Sequence, residues 1–490
     1  MGNALGMIEL SSIARGIETC DYMVKAAQVD LVRASTVCPG KYIIIIGGGA
    51  AGLMAAYGAR TATKERPSVL VLEKMPRPGR KIMITGKGRC NFTNVKGWSD
   101  FSSHVRSNSN VLRPAFYSLP PDALIDFFNA NGMESVVERG DRAFPVSHRS
   151  MDVVDALYSA ARNAGARVMT DAQVTGVRME EEFGNRIFAV ETADGQSFSS
   201  GRLIIATGGL SYPNTGSTGD GYTFAKSLGH SIKQCFPSLT ALVPKEYKLP
   251  LEENSPELKG HVDRSSALSE TGTALCGNSL KNIGIRLFVN GSEVQEMEGD
   301  IDFTDGGLEG PAGFAISRNA VKAILNGSKV KVALDLKSGV PAEEFEKRVA
   351  ELWKEVGADP RSKGKSVRQM AKVLLGKLMP WEIIPGFMKC HPEIISGSKG
   401  KETLKMRALV NAIRNWEFDI AGYVGYERCV ITAGGVSCDE IVPKTLSSRK
   451  CPGLYLCGEV LDIDADTGGY NLQIAFSTGY LAGRSAALSL

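Results

Sequence analysis

Ten cysteines are spread through the 490-residue chain without one Cys-x-x-Cys pair. That absence argues against a dithiol–disulfide reductase, and with no secretory signal ahead of them the thiols are expected to stay reduced in a reducing compartment. There is no internal repeat and no low-complexity tract. An uncharged run at residues 42–59 stands at the lower limit for a membrane helix, but the three consecutive glycines inside it argue against a span. A strong excess of one charge is also lacking: 57 Lys and Arg against 53 Asp and Glu leave +4, which by itself says little about partners. The distribution is uneven, since residues 329–414 carry 18 bases and 10 acids, a net +8, and the remainder is −4. Residues 1–40 hold four acids and three bases and lack both a long apolar core and an Arg/Ser-rich composition. They make a poor targeting peptide, and Gly6 stands where a myristoylation signal wants Ser or Thr.

What is present begins with KYIIIIGGGAAG at residues 41–52. Four consecutive isoleucines predict a parallel strand covered on both faces, and the alanine-rich residues 50–59 predict a helix directly after it. Gly47, Gly49 and Gly52 then fall in the turn between them, at the spacing that grips a pyrophosphate. Gly47 makes the tight turn, Gly49 lets phosphate reach the backbone, and Gly52 allows close packing of helix on strand. SVLVLE, residues 68–73, reads as the next parallel strand, and Glu73, 21 residues beyond Gly52, is placed to bind adenosine ribose hydroxyls.

The length implies two or three domains, and 43% hydrophobic with 22% charged residues is a soluble, globular composition. GRLIIATGG, residues 201–209, is another buried strand entering a glycine turn. From about residue 237 short alternating segments predict β structure, residues 341–356 and 367–378 predict amphipathic helices, and VITAGG followed by GLYLCGE returns to strand and glycine. The expected organisation is a leader at 1–40, a dinucleotide-binding segment at 41–236, a β-rich insertion at 237–340, its helical part at 341–426, and a second binding segment at 427–490. The C-terminus is thus expected to supply the last strands and final helix of the first domain.

These motifs together resemble the two-segment flavoproteins called YhiN-like or BaiN-like, the aminoacetone-oxidase-family FAD-binding enzymes. The blocks that carry the resemblance are GRKIMITGKGRCNFTN (79–94), RAFPVS (142–147), ATGGLSYPNTGSTGDGY (206–222), DFTDGGLEGPAG (302–313) and GLYLCGEVLDIDADTGGYNLQIAFSTG (453–479). The likeness runs from residue 41 to 484. It implies an α/β fold: a glutathione-reductase-like, discontinuous FAD-binding Rossmann domain with an inserted β-rich plus helical region. The implied cofactor is FAD, with NAD(P)H as a transient electron donor, because only one full dinucleotide fingerprint is present.

The resemblance also assigns residues. Gly458 and Glu459 are expected at the ribityl hydroxyls, with Asp462 as the substitute acid, and Gly468, Gly469, Asn471 and Leu472 lead into a helix whose amides face the flavin pyrimidine. Arg89, Cys90, Asn91 and Asn94 form the most distinctive loop; their alternative reading is an ordinary turn with caps, and Cys90 is more readily a small buried residue than a nucleophile. Lys81 either steers phosphate or is solvated. Ala51, Lys74, Gly88, Val174, Thr207, Gly208 and Gly209 complete the expected cofactor site.

Substrate chemistry is thinner in the sequence. Arg142, His148, Tyr212 and Asp305 are candidate acid, base or anion-binding groups, and none has metal-ligand or triad spacing. Bacterial relatives commonly read FTHxGLSGP where this chain has FTDGGLEGP, so Asp305 replaces a histidine and Glu309 a serine, which implies altered chemistry or a different substrate. The expected function is an FAD-dependent oxidoreductase passing hydride between reduced nicotinamide and a small organic substrate. A flavin-dependent nucleic-acid (tRNA)-modifying enzyme and a non-catalytic flavin-binding protein are the alternatives. The expected partner is a small molecule rather than nucleic acid or membrane, because solvated helix faces explain the basic segment more simply. The expected location is the cytoplasm or an organelle interior such as a plastid.

Overall fold

The structure is a computed structural model and describes residues 42–182, 185–249, 259–397 and 402–490; the leader at 1–40 lies outside them. The chain divides into two units. The first holds the described residues through Gly209 together with Thr215–Lys233 and Gly434–Leu490, and the second holds Leu210–Asn214 and Gln234–Ala433.

In the first unit, β1 (Tyr42–Ile46) and β2 (Ser68–Leu72) run parallel, joined by α1 (Ala50–Thr61). β3 (Arg167–Met169) adds beside β2 and β4 (Arg202–Ile205) beside β1, all parallel. Ile43, Ile44 and Ile45 are fully buried, which is why the strand has no polar alternation. The sequence predicts one strand over 167–177, but β3 stops at Met169 and a separate antiparallel strand starts at Val174. Helix α2 (Ser109–Ser118) contains Pro114, a residue that reads as a helix breaker in sequence and hides the element.

The second unit is built on a closed barrel of β5 (Leu242–Pro244), β6 (Ser279–Val289), β7 (Ser292–Thr304), β8 (Gly307–Glu309), β9 (Val330–Asp335) and β10 (Trp416–Tyr423), in the order β5-β8-β7-β6-β9-β10. Ile285, Leu287, Phe303, Leu308, Val332, Leu334 and Trp416 fill its core. Helix α3 (Gly310–Leu325) follows β8, and α4 (Ala342–Ala358), α5 (Val367–Gly376) and α6 (Met406–Arg414) are among the helices of the unit. α4 buries Phe345, Val349, Leu352 and Val356, the one-sided spacing of an amphipathic helix. α5 starts at a capping box between Ser366 and Gln369.

The chain then returns to the first unit. β11 (Leu454–Leu456) pairs with β4, giving the sheet order β11-β4-β1-β2-β3. Only this strand joins the sheet: the VITAGG segment, Ile431–Val436, instead forms a separate two-stranded sheet with Ile232–Ser238, which corrects the expectation of several returning strands. α7 (Tyr470–Leu488) packs along α1. The two helices touch backbone to backbone, since a Cβ on Gly479 or Gly483 would collide with the carbonyls of Ala51 or Ala55.

Candidate functional site

The β1–α1 turn is shaped by what its glycines leave out. Gly47 has φ +106, and a Cβ there would stand 2.5 Å from the Ala206 carbonyl oxygen. A Cβ on Gly52 would collide with the Gly47 carbonyl. At Gly49, by contrast, a Cβ would meet nothing within 4 Å, so open ground lies before the N-terminus of α1. That terminus has no side-chain cap and no acid in its first turn, which leaves amide donors and the positive end of the helix dipole for an anion. Glu73, the acid after β2, accepts the Gly48 N–H at 2.7 Å and the Met75 N–H at 2.8 Å. Burial pushes its carboxyl pKa up, against those two hydrogen bonds. Lys74 beside it is ion-paired with Asp220 at 2.6 Å. Ala51 is buried in α1, Val174 is buried at the head of its strand, and Thr207, Gly208 and Gly209 follow the end of β4.

A second open helix start belongs to the same unit. Gly469, the N-cap of α7, has φ +95 and no capping side chain. A Cβ there would come to 2.5 Å from the Thr93 backbone and 2.8 Å from Asn91 Oδ1. That Asn91 oxygen is buried and has no hydrogen-bond partner among the described residues, so it is open to a donor. The loop before α7, which includes Gly468, is held from within. Asn471 Nδ2 donates to the Ala465 and Asp466 carbonyls at 2.8 and 3.1 Å, and its Oδ1 accepts the Ala465 N–H at 2.9 Å. Asp462 accepts from Asn108 Nδ2 at 3.1 Å, and buried Asp464 accepts from Ser107 Oγ at 2.6 Å. Leu472 lies in the first turn of the helix. Lys81 and Glu459, each expected at the cofactor, pair with each other at 2.5 Å, and Gly458 donates its N–H to Thr478 Oγ1 at 2.9 Å. Two uncapped helix starts, the open ground at Gly49 and the orphaned Asn91 oxygen fit a flat, donor-bearing group tethered to a diphosphate. FAD has that chemistry.

The loop at 79–94 distributes its residues differently. Gly88 lies in a 3-10 turn, and the Arg89 guanidinium is engaged by Glu138 at 2.6 Å, by His148 Nδ1 at 2.9 Å and by the Phe144 ring face at 4.6 Å. Since arginine only donates, His148 Nδ1 is the acceptor. Cys90 is fully buried and its thiol is pushed up to about 12 by desolvation, so it holds its proton and is no nucleophile. Asn94 donates to the carbonyls of Gly140 at 3.1 Å and Gly468 at 3.2 Å, tying this loop to the start of α7. Arg142 is exposed and donates to the Arg139 carbonyl at 3.1 Å.

The second unit has its own polar cluster. Arg264, only 13% exposed, is held by Asp305 at 3.0 Å and by Glu309 at 2.7 Å. Burial works against its charge, but the two carboxylates outweigh it and raise its pKa. Asp305 is pulled the other way: burial is overcome by the Arg264 guanidinium, and its carboxyl falls below the usual range. The arginine thus favours its carboxylate form. Lys248 Nζ donates to the carbonyls of Arg264 at 2.6 Å and Ser266 at 3.0 Å, and burial lowers its pKa. Tyr212 has φ +53, donates its N–H to the Tyr426 carbonyl at 2.8 Å, and is kept protonated by burial. The structure thus groups Arg89 with His148 in one unit, and the surroundings of both Asp305 and Tyr212 include Arg264 and Arg428 in the other. Sequence reasoning missed Arg264, which lies in no motif. Its signal was indirect: two acids four residues apart replacing neutral or weakly basic residues require a nearby cation. Among the described residues no group of His, Cys, Asp and Glu is placed to hold a metal, and no helix is long and apolar enough to cross a membrane.

Comparison with known proteins gives the same outline. The sequence model of the HI0933-like protein Rossmann domain matches residues 41–485. A 3-dehydro-bile acid delta(4,6)-reductase of Clostridium scindens is 30% identical over 444 residues, covering 90% of this chain and 98% of that protein. A ribosomal RNA dihydrouridine synthase of Escherichia coli is 28% identical over 437 residues, covering 89% and 96%. The second relative weighs against the expectation that nucleic acid is not a partner. The model of the BMC domain matches residues 4–75, and the bacterial microcompartment shell protein PduT of Citrobacter freundii is 40% identical over 62 residues, 13% of this chain and 34% of that protein. Where that match enters the described residues, at 42–75, the chain folds as β1, α1 and β2 of the parallel sheet.

Proposed function

The chain belongs to the HI0933-like Rossmann-domain family of flavoproteins, and from that premise we propose that it is an FAD-dependent reductase that saturates a carbon–carbon double bond conjugated to a carbonyl. The observation that carries the reading is the pair of uncapped helix starts in one unit, α1 behind Gly49 and α7 behind Gly469, with the orphaned Asn91 oxygen beside the second. The substrate class is supported by what the names of the two relatives share. A 3-dehydro, delta-4,6 bile acid has ring double bonds conjugated to a ketone, and dihydrouridine is uridine whose ring double bond, beside a carbonyl, has been reduced.

When bound, FAD supplies the carrier that takes hydride from a donor and passes it on. The chain supplies the rest. The amides of α1 hold the diphosphate, Glu73 keeps free lone pairs for ribose hydroxyls, and the amides of α7 stabilise negative charge at the pyrimidine ring. Glu459, steadied by Lys81, accepts hydroxyl hydrogens of the ribityl chain. Reduction of the double bond adds one hydride and one proton. Reduced nicotinamide, NADH or NADPH, is the hydride source in this proposal, and solvent water is the proton source. Anaerobic titration of the purified protein with each nicotinamide tests the reading: bleaching of the visible flavin absorbance by one of them is expected, and colourless folded protein that takes up no FAD defeats it.

Two specific observations extend the proposal. The E. coli relative favours a uracil ring in RNA as a substrate beside small enones. The match at 4–75 favours association with a bacterial microcompartment shell, expected as co-sedimentation of the full chain with purified shells that is lost when residues 1–40 are removed.

A further inference from the structure

Two shallow recesses of the first unit, about 600 and 690 Å³, share one residue, Tyr117. The first is lined by Trp98, Asp100, Arg113 and Tyr117, and the second by Tyr117 together with Lys444, Arg484 and a row of hydroxyls. Tyr117 is 59% exposed, an unusual state for a large aromatic ring. Arg113 and Tyr117 lie one turn apart on α2, with the guanidinium 5.9 Å from the tyrosine ring and the Trp98 ring 6.2 Å from it on a tilt of 43°. Arg113, Lys444 and Arg484 make no ion pair among the described residues, and Asp100 is the single acid in the lining.

We infer that these joined recesses form a track for single-stranded RNA, with bases stacking on Trp98 and Tyr117 and the backbone phosphates running past Arg113, Lys444 and Arg484. The shape selects a polymer. A site for a free nucleotide encloses most of its ligand, whereas both recesses lie open to solvent, so affinity has to accumulate over several shallow contacts. The lining selects nucleic acid, because aromatic rings set beside cations that have no carboxylate partner are how single strands are held without base readout: Tyr117, Arg113 and Lys444 are exposed, Trp98 is half-buried against Phe116, and Arg484 donates to the Tyr480 hydroxyl at 3.3 Å. A protein partner would want an apolar centre depleted of charge, whereas Arg113 and Asp100 stand in the first recess and Lys444 and Arg484 in the second. The inference supplies a partner for the RNA substrate raised above, yet its test needs no turnover.

The measurement is anisotropy of a labelled oligouridylate of about 20 nucleotides, a length that spans one or two such sites, with the full-length protein across a range of salt. W98A/Y117A and R113E/K444E/R484E are each expected to weaken binding roughly tenfold or more, and the triple variant to flatten the log–log salt slope by about 2, from three phosphate contacts on a single strand. The comparator is K363E/K365E/R368E/K372E, which removes four exposed cations of the basic segment in the other unit and is expected to shift affinity less than about twofold. Thermal melting shows that each variant is folded. Wild-type binding by both track variants, loss of binding in the comparator, or displacement by UMP at matched nucleotide concentration would each overturn the inference.

Discussion

Glu73 and Asp305 are both carboxylates beside glycine turns, one in each unit, and their surroundings pull them in opposite directions. Glu73 is buried, bonded to backbone amides, and harder to ionise than a free carboxyl. Asp305 is 58% exposed, gripped by a guanidinium, and easier to ionise. The contrast extends to the units themselves. The first is organised by backbone: glycines bring carbonyls and amides into contact at Gly47, Gly52, Gly479 and Gly483. The second is organised at its polar cluster by side-chain charge, with one arginine satisfying two acids. A backbone-built site is therefore intolerant of a single methyl group, while a charge-built site tolerates isosteric change and responds to pH.

That contrast breaks most visibly at Gly52. Gly52→Ala drives a methyl into the Gly47 carbonyl, and a loss of about 3 kcal/mol or more in stability, with loss of FAD, is expected by chemical denaturation. Arg264→Ala in the other unit strands Asp305 and Glu309, and because both are partly solvated the loss is expected at about 2 kcal/mol, less than for a deeply buried pair. Gly49→Ala separates binding from folding: its methyl enters open ground, so stability should stay within about 0.5 kcal/mol while FAD affinity, read by equilibrium dialysis, falls tenfold or more.

The smallest effect is the sharpest test. Asp305 has a lowered pKa, so its contribution is present above the unfolded value near 4 and lost as pH falls through the folded one; the advantage of wild type over Asp305→Asn should grow with pH and stay under about 1 kcal/mol. Glu73 has a raised pKa, so its contribution is present below the unfolded value and lost as pH rises through the folded one. Wild type measured against Glu73→Gln should decline over that same range. Denaturation series from acid to neutral pH that gave slopes of the same sign would erase the distinction between the two acids.

The sequence made the first unit legible because its rules are local. Four isoleucines, three spaced glycines and a downstream acid describe β1, α1 and β2 without reference to anything distant, and the return of the chain at GLYLCGE was readable as β11. Other features escaped because their causes are remote. The partner of Asp305 and Glu309 is Arg264, some forty residues earlier in an unremarked stretch. The backbone contact of α1 with α7 sets Gly479 and Gly483 against Ala51 and Ala55, more than 400 residues earlier in the chain. Asn91 was legible as a polar loop residue, but its unpaired oxygen becomes visible only when the fold buries it. VITAGG misled because a short apolar strand ending in glycines looks alike wherever it pairs.

The close seating of Gly479 and Gly483 on α1 has a consequence for biosynthesis. The helix that completes the first unit is made only after the barrel, so β1, β2 and α1 emerge early and wait, one face uncovered, through the translation of the whole barrel. The barrel draws its strands from a contiguous stretch of chain and is free to fold during that wait. Emergence of α7 is then the event that completes the cofactor cradle, and a nascent chain halted before residue 479 would carry a finished barrel and an unfinished first unit.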